Sequence, residues 1–423
     1  MVSDARSFLY EQSNTPLYQK ESPMESLSQN DSDAAQDTLT PNADEPVARK
    51  IRPQKPLLMI ALLGISFTGW YGWNHKYEIE AFCLNTSVSE QAKKANELKE
   101  VSDNKFNTEG LILPENEILH GGVPKDGIPA LTTPDFIGGA DATFMQPGDR
   151  VAGVVFEGKA RAYPLKIMEM HEVVNDEIGN TSFAVTYCPL CDSLVVYNRK
   201  GTGGELEFGV SGFLYNSNVL LYDRSGSSET DGLWSQMMSQ GIGGPRVEEK
   251  LTIMPVELTT WKDWVQRHPE TQVVATSTGH ARDYSKRPYA PYFADESTLM
   301  FAVKQQDGRL PNKVPLLGVW AGDKMRAYPV SAFKEFKETH ELEQELDGKK
   351  FTLVYNPQAK SIRVINPDKD VSWMYSFWFA WYAFYPDTEL YANSGTTETA
   401  KVGAKTAAET KEPAATSEKN KNP

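Results

Sequence analysis

Along this chain the apolar positions change character several times, and each change predicts a different kind of segment. Residues 1–55 are rich in Ser, Asp, Asn, Gln and Pro and show no apolar period. Nothing there offsets the entropy of ordering a chain, so a disordered cytoplasmic tail is expected. From Pro56 to Trp73 no residue is charged and Leu57 to Leu63 is continuously apolar. A helix over 56–75 approaches the roughly 20 residues needed to cross a bilayer. Arg49, Lys50, Arg52 and Lys55 precede it, Trp70, Tyr71 and Trp73 close it, and the next charges are mixed in sign. This asymmetry predicts a single-pass inner-membrane helix with the N-terminus cytoplasmic and the main domain periplasmic. A cleaved signal peptide fits less well, because the polar leader is far longer than a usual charged n-region. Residues 76–104 read as a polar tether and 393–423 as a second disordered tail, which leaves 105–392 to fold.

Inside that folded region one pattern occurs twice. Gly153-Val-Val-Phe-Glu-Gly-Lys-Ala-Arg-Ala-Tyr-Pro164 aligns with Gly318-Val-Trp-Ala-Gly-Asp-Lys-Met-Arg-Ala-Tyr-Pro329, seven of the twelve positions being identical. Phe183 to Pro189 likewise parallels Phe351 to Pro357. Each unit predicts a hairpin turning near Glu157-Gly158-Lys159 or Gly322-Asp323-Lys324, then Ala-Tyr-Pro leading into a helix, then a strand. The first helix is expected over Leu165 to Asp176, followed by strands at Ser182 to Tyr187 and Leu194 to Tyr197. Thr260 to Val265 reads as an amphipathic helix with Trp261 and Trp264 inward, and Trp373 to Tyr385 as core. The fold class expected is β-rich α+β, built of two related half-units near 145–225 and 310–392 and preceded by one transmembrane helix.

Composition narrows the partners. A formal charge of -14 and a pI near 5.1 exclude a dominant basic face, so no nucleic-acid partner is expected. With the helix in place, the expected partners are the membrane and an envelope protein or small ligand. Three cysteines, Cys83, Cys188 and Cys191, cannot form a disulfide framework, and the odd thiol at Cys83 offers a route to dimerisation.

Candidate chemistry centres on Cys188-Pro189-Leu190-Cys191. Strand pattern on both sides places this CxxC at a β-turn, whereas thioredoxin-like motifs open a helix. The pair reads as a metal site, a structural disulfide, a redox-active dithiol or an inert reduced pair. On a helix, Met168, His171 and Asn175 would share one face at i, i+3 and i+7 and supplement the two sulfurs. A copper, iron or zinc ion suits such a soft set. The alignment sharpens this choice: Cys188 falls opposite Asn356, Cys191 opposite Ala359 and His171 opposite Phe336, so the unit can be built without them. Asn175 stands where the second His of HExxH would be, which rejects the zinc-protease class.

At these residues the chain resembles a bacterial family known as domain of unknown function 3179. The likeness is carried by Arg161-Ala-Tyr-Pro164, His171-Glu-Val-Val-Asn-Asp176, Thr186-Tyr-Cys-Pro-Leu-Cys191, Phe208-Gly-Val-Ser-Gly212, Tyr215-Asn-Ser217 and Leu233-Trp-Ser-Gln236. That family usually has Gly after the second Cys, where this chain has Asp192. The motifs nominate Glu172, Asn216, Trp234 and Gln236 as pocket residues; Asn216 and Asn218 also suit a plain turn. A basic-aromatic loop, Arg282 to Tyr292, suits an anionic partner or simply solvent.

The leading expectation is a metal-binding or thiol-redox centre at His171, Cys188 and Cys191. The alternative is a non-catalytic binding module whose CxxC is a structural disulfide and whose ligand lies between the repeats. A third is thiol transferase or hydrolase chemistry with one Cys as nucleophile and His171 as base.

Overall fold

The computed structural model describes residues 106–227 and 230–392. The first half-unit opens with the hairpin β1 (Arg150–Phe156) and β2 (Lys159–Pro164), whose two-residue turn has Glu157 at φ 49° and Gly158 at φ 73°. Positive φ at both turn positions matches the right-handed twist of the strands. A single turn, α1 (Leu165–Met168), leads into the antiparallel meander β3 (Val173–Ile178), β4 (Thr181–Cys188) and β5 (Ser193–Asn198). Four further strands, β6 (Phe208–Tyr215), β7 (Asn218–Asp223), β8 (Leu233–Ser235) and β9 (Gln240–Gly243), form a separate sheet with Ile118–His120 at its edge. Then come β10 (Glu257–Thr260), α2 (Trp261–Arg267), β11 (Gln272–Val274) and α3 (Ala290–Ala294).

The second half-unit repeats the plan without the inserted sheet: β12 (Pro315–Ala321), β13 (Lys324–Pro329), a 3-10 turn, the meander β14 (His340–Leu346), β15 (Lys349–Asn356) and β16 (Ser361–Ile365), then β17 (Val371–Phe377), α4 (Trp378–Phe384) and β18 (Glu389–Leu390). Sheet order is β10-β1-β2-β11 in one half and β17-β12-β13-β18 in the other, with the last pair parallel in both. The meanders are exchanged. β5 pairs with β17 of the opposite half through Leu194 and Tyr375, while β16 lies beside β10, with Thr259 and Ser361 hydroxyls 3.2 Å apart.

One contact recurs at the centre of each half. Trp264 of α2 and Trp381 of α4 are fully buried, and each indole covers a glycine of the hairpin strand beneath it. A Cβ on Gly153 would lie 2.2 Å from Trp264, and one on Gly318 would lie 2.1 Å from Trp381. Each indole N–H donates to a threonine, Thr271 at 2.8 Å and Thr388 at 2.9 Å. Burying an indole contributes roughly 4 kcal/mol of transfer free energy, so these two contacts anchor both helices.

Two expectations need correction. Helix does not run from Leu165 to Asp176; it stops at Met168, and Val173–Ile178 is strand. Val173 and Val174 bury opposite faces in two different core clusters, which a strand between two layers does and a one-faced helix does not. The β-rich character holds, but the transmembrane helix in the expected fold class does not stand: no helix among the described residues is long and apolar enough to cross a membrane. The segment expected to span, 56–75, lies outside the described residues, as do the two tails, the tether and Cys83.

Replacing Gly153 or Gly318 by Ala is expected to lower stability by about 1–3 kcal/mol through overpacking against the indole. The denaturation midpoint should fall in each variant with the slope unchanged.

Candidate functional site

Two tight turns meet at the site. β4 and β5 are joined by Pro189-Leu190-Cys191-Asp192, with Cys188 and Ser193 facing each other across the hairpin. Asp192 holds the left-handed conformation at φ 47°, as Lys360 does at φ 48° in the other half. Gly is the residue such a position favours, so the departure from the family pattern has a cost that a neighbour must offset. Its carboxylate receives two hydrogen bonds from Arg150, at 3.0 and 2.8 Å, and one from the Tyr187 hydroxyl at 2.8 Å.

The second turn is Asn216-Ser217, between β6 and β7, with φ 49° and 65°. Its Ser217 carbonyl faces both thiols, accepting from Cys191 Sγ at 3.2 Å and lying 3.9 Å from Cys188 Sγ. Both cysteines are free and buried. Burial pushes the Cys188 thiol up, but hydrogen bonds from the Cys191 thiol and from the Cys191, Val219 and Leu190 amides outweigh it, and the thiol is lowered. Cys191 moves the other way, raised well above an ordinary thiol by burial and by the charge on Cys188. The two thiols are thus shifted in opposite directions, Cys188 down and Cys191 up.

Glu172 completes this centre. It follows α1 at φ 58°, and its backbone amide closes the turn onto the Met168 carbonyl at 2.8 Å. A non-glycine residue there costs about 1 kcal/mol, the kind of strain that collects at functional positions. Its carboxyl is buried and pushed well above the ordinary carboxylate range, first by desolvation and then by the neighbouring Cys188. Together with Leu190, Val219, Ile128, Val210 and Met300 it lines a cavity of about 40 Å³.

Other nominated residues have different duties. His171 is fully buried, with Nδ1 2.7 Å from the Pro129 carbonyl and Nε2 2.6 Å from the Tyr284 hydroxyl. A carbonyl only accepts, so Nδ1 carries the proton and Nε2 accepts from Tyr284, which takes a hydrogen bond from Thr278 in turn at 2.6 Å. Neither nitrogen has a lone pair left for a metal or for a cysteine. Among the described residues no group of three or more His, Cys, Asp and Glu side chains is placed to hold a metal ion. Met168 packs in the core cluster that does not contain the cysteines. Asn175 spends both ends of its amide on the Phe208 backbone, at 2.9 Å each, and so stitches β3 to β6. The expected ligand set of His171, Cys188 and Cys191 with Met168 and Asn175 is therefore corrected to the two cysteines alone.

Of the pocket candidates, only Glu172 lines the cavity. Gln236 and Asn218 sit in a buried network with Ser193 and Thr186, where Asn218 bonds Gln236 at 2.8 Å and Ser193 at 3.0 Å. Asn218 also pulls the Cys191 thiol back down, against the burial that raises it. Asn216 ties its turn to the Lys304 amide at 2.8 Å, and Trp234 packs edge-on against Phe208. The basic-aromatic loop is no open anion site: Arg287 pairs with Glu169 at 2.6 Å, Tyr284 holds His171, and Tyr292 donates to the Leu190 carbonyl at 2.9 Å. Tyr292, which the sequence placed in the basic-aromatic loop, thus lies against the CxxC turn. A second cleft, about 470 Å³ and lined by Arg150, Asp192, Thr259, Ser361 and Ser376, lies between the halves behind the CxxC turn.

The fold and the site together define a β-rich, internally duplicated protein with one buried dithiol, present in one half only. A family model described as a protein of unknown function, DUF3179, matches residues 125–374, more than half of the chain. The chain belongs to that family. Comparison with curated proteins and with solved structures gives no match in either.

Burial lowers the His171 imidazole to about 4. An unfolded His titrates near 6.5. The unfolded chain thus binds more protons in this window, so stability from neutral His171 is complete above pH 6.5 and falls away as pH drops toward 4. A His171→Gln variant should lose less stability than the native protein between pH 7 and pH 4.5, by about 2–3 kcal/mol, measured by urea unfolding at each pH.

Proposed function

We propose that this is a dithiol redox protein in which Cys188 and Cys191 cycle between free thiols and an intramolecular disulfide. The observation that carries this reading is the sharing of the Ser217 carbonyl by two buried free thiols within one four-residue turn. Oxidation joins Cys188 Sγ to Cys191 Sγ and passes two electrons to an acceptor. Cys188 is the attacking sulfur, because backbone amides stabilise its thiolate, and Cys191 is the resolving thiol. Asn218, Gln236, Ser193 and Thr186 hold Cys191 in place through both states, since each is hydrogen-bonded within the protein. A metal bound by His171 is not part of this reading, given that both its nitrogens are occupied.

The cleft between the halves favours a second reading, a binding module for a small ligand with the CxxC as a structural staple. The reduction potential separates the two. Equilibration in glutathione buffers, followed by alkylation and peptide mass spectrometry, should give a reversible Cys188–Cys191 bridge between about -120 and -270 mV. A bridge still intact below about -300 mV means a staple, and no bridge at any poise removes the redox reading. Cys188→Ser and Cys191→Ser should each abolish the bridge at every poise.

A further inference from the structure

Resting on the ligand site of the second reading, and independent of the dithiol, we infer that the cleft between the halves takes a small amphipathic organic anion, its negative charge balanced by Lys360 and by the unspent donors of Arg150. The internal repeat locates the cleft. By alignment on Gly153 and Gly318 and by strand register, Leu258 stands opposite Tyr375, Thr259 opposite Ser376 and Asp192 opposite Lys360, and all six line the one cleft. Equivalent residues of both halves meet there, so the cleft straddles the axis that relates them. Its volume, about 470 Å³, is that of a small-molecule site.

Charge selects the ligand. The Asp192 carboxylate already accepts two hydrogen bonds from Arg150 and one from Tyr187. Three positions before Gly318, where the first half has Arg150, the second half has Pro315, so Lys360 lacks a counterpart to that pair. Lys360 is exposed and meets no carboxylate among the described residues. Arg150 spends two of its five N–H groups on Asp192, and its side chain stays 33% exposed on the cleft wall. The neutral hydroxyls are committed within the protein: Thr259 donates to Asp263 at 2.8 Å, Ser376 to the Phe377 carbonyl at 3.0 Å and Tyr375 to the Ile362 carbonyl at 2.8 Å. The donors left to meet a ligand are thus chiefly cationic, and a carboxylate is the group they bind best. Leu258, Leu317, Ile362 and the Tyr375 ring supply apolar wall to the same cleft. An apolar body fills that wall, which a bare inorganic anion would leave empty.

The test titrates the reduced full-length protein with 4-phenylbutyrate, octanoate or naphthalene-2-carboxylate, each beside its primary amide, and reads affinity by calorimetry. At least one carboxylate should bind tenfold or more tighter than its amide. Lys360→Gln should weaken that carboxylate at least fivefold, and because Lys360 is exposed this variant keeps the fold. Ala359→Phe, which fills the cleft from its turn, should abolish binding, while Lys324→Gln, outside the cleft, should leave it unchanged. If an amide binds as tightly as its acid and is lost in Ala359→Phe, the ligand site stands and the anion inference falls. A carboxylate that binds equally well to native protein, Lys360→Gln and Ala359→Phe lies elsewhere and also overturns the inference. If no acid and no amide binds, the inference and the ligand site of the second reading fall together, and the dithiol reading is left to its own reduction potential.

Discussion

Burial works against a lowered thiol, so backbone amides must take the place of water beside Cys188, and that requirement shapes the turns around it. Desolvating an anion without hydrogen bonds costs several kcal/mol. Here the Leu190, Cys191 and Val219 amides are supplied by two turns packed against each other, one from the meander and one from the inserted sheet. The pairing of those turns is held by hydrogen bonds from three sides. Asn175 fixes β3 to β6 through the Phe208 backbone, the Asn218–Gln236 network fixes β7 to β5, and Asn216 fixes the second turn to the chain at Lys304. Asn175, Gln236 and Asn216, which the sequence nominates as ligand or pocket residues, are thus part of the frame that keeps the two turns in register.

How far the sequence disclosed this follows from which signals are local. Turn residues act over two positions, so the hairpins at Glu157-Gly158 and Gly322-Asp323 and the turn at the CxxC motif could be read directly. The β3 strand could not, because Met168, His171 and Asn175 imitate a helical face while the neighbouring valines are buried on both sides of a layer. Tertiary pairing with Thr186 and Val185 decides the matter, and the sequence carries no trace of it. The match between Trp261-x-x-Trp264 with Pro269-Glu-Thr271 and Trp378-x-x-Trp381 with Pro386-Asp-Thr388 was legible and went unread, since α2 and α4 differ in every exposed position. The cavity draws on segments up to about 110 residues from Cys188, such as Met300 and Phe301, beyond any local pattern.

Comparison of the halves shows what the site required beyond the shared frame. Arg161 and Tyr163 grip Asp176 in the first half, where Arg326 and Tyr328 meet Gln344 in the second, so the hairpin-to-meander clamp is kept with its charge removed. At the turn, Asn356 caps the chain with its own side chain and bonds Asp263 at 2.7 Å, where the first half has a cysteine. The inserted sheet that brings Ser217 and Val219 to the sulfurs has no counterpart between β16 and β17. The buried dithiol sits where the insertion meets the turn.

The exchanged meanders give the duplication a further meaning. Because β5 completes the opposite half's sheet and β16 leans on β10, the two halves relate to each other as subunits of a strand-swapped dimer whose covalent linker runs through residues 275–314. A symmetric dimer of identical chains would need every change at its interface to work twice, once on each side. Fusing the copies lifts that restriction: one turn can carry a reactive pair while its mate, at Asn356 and Ala359, keeps the job of holding the assembly together.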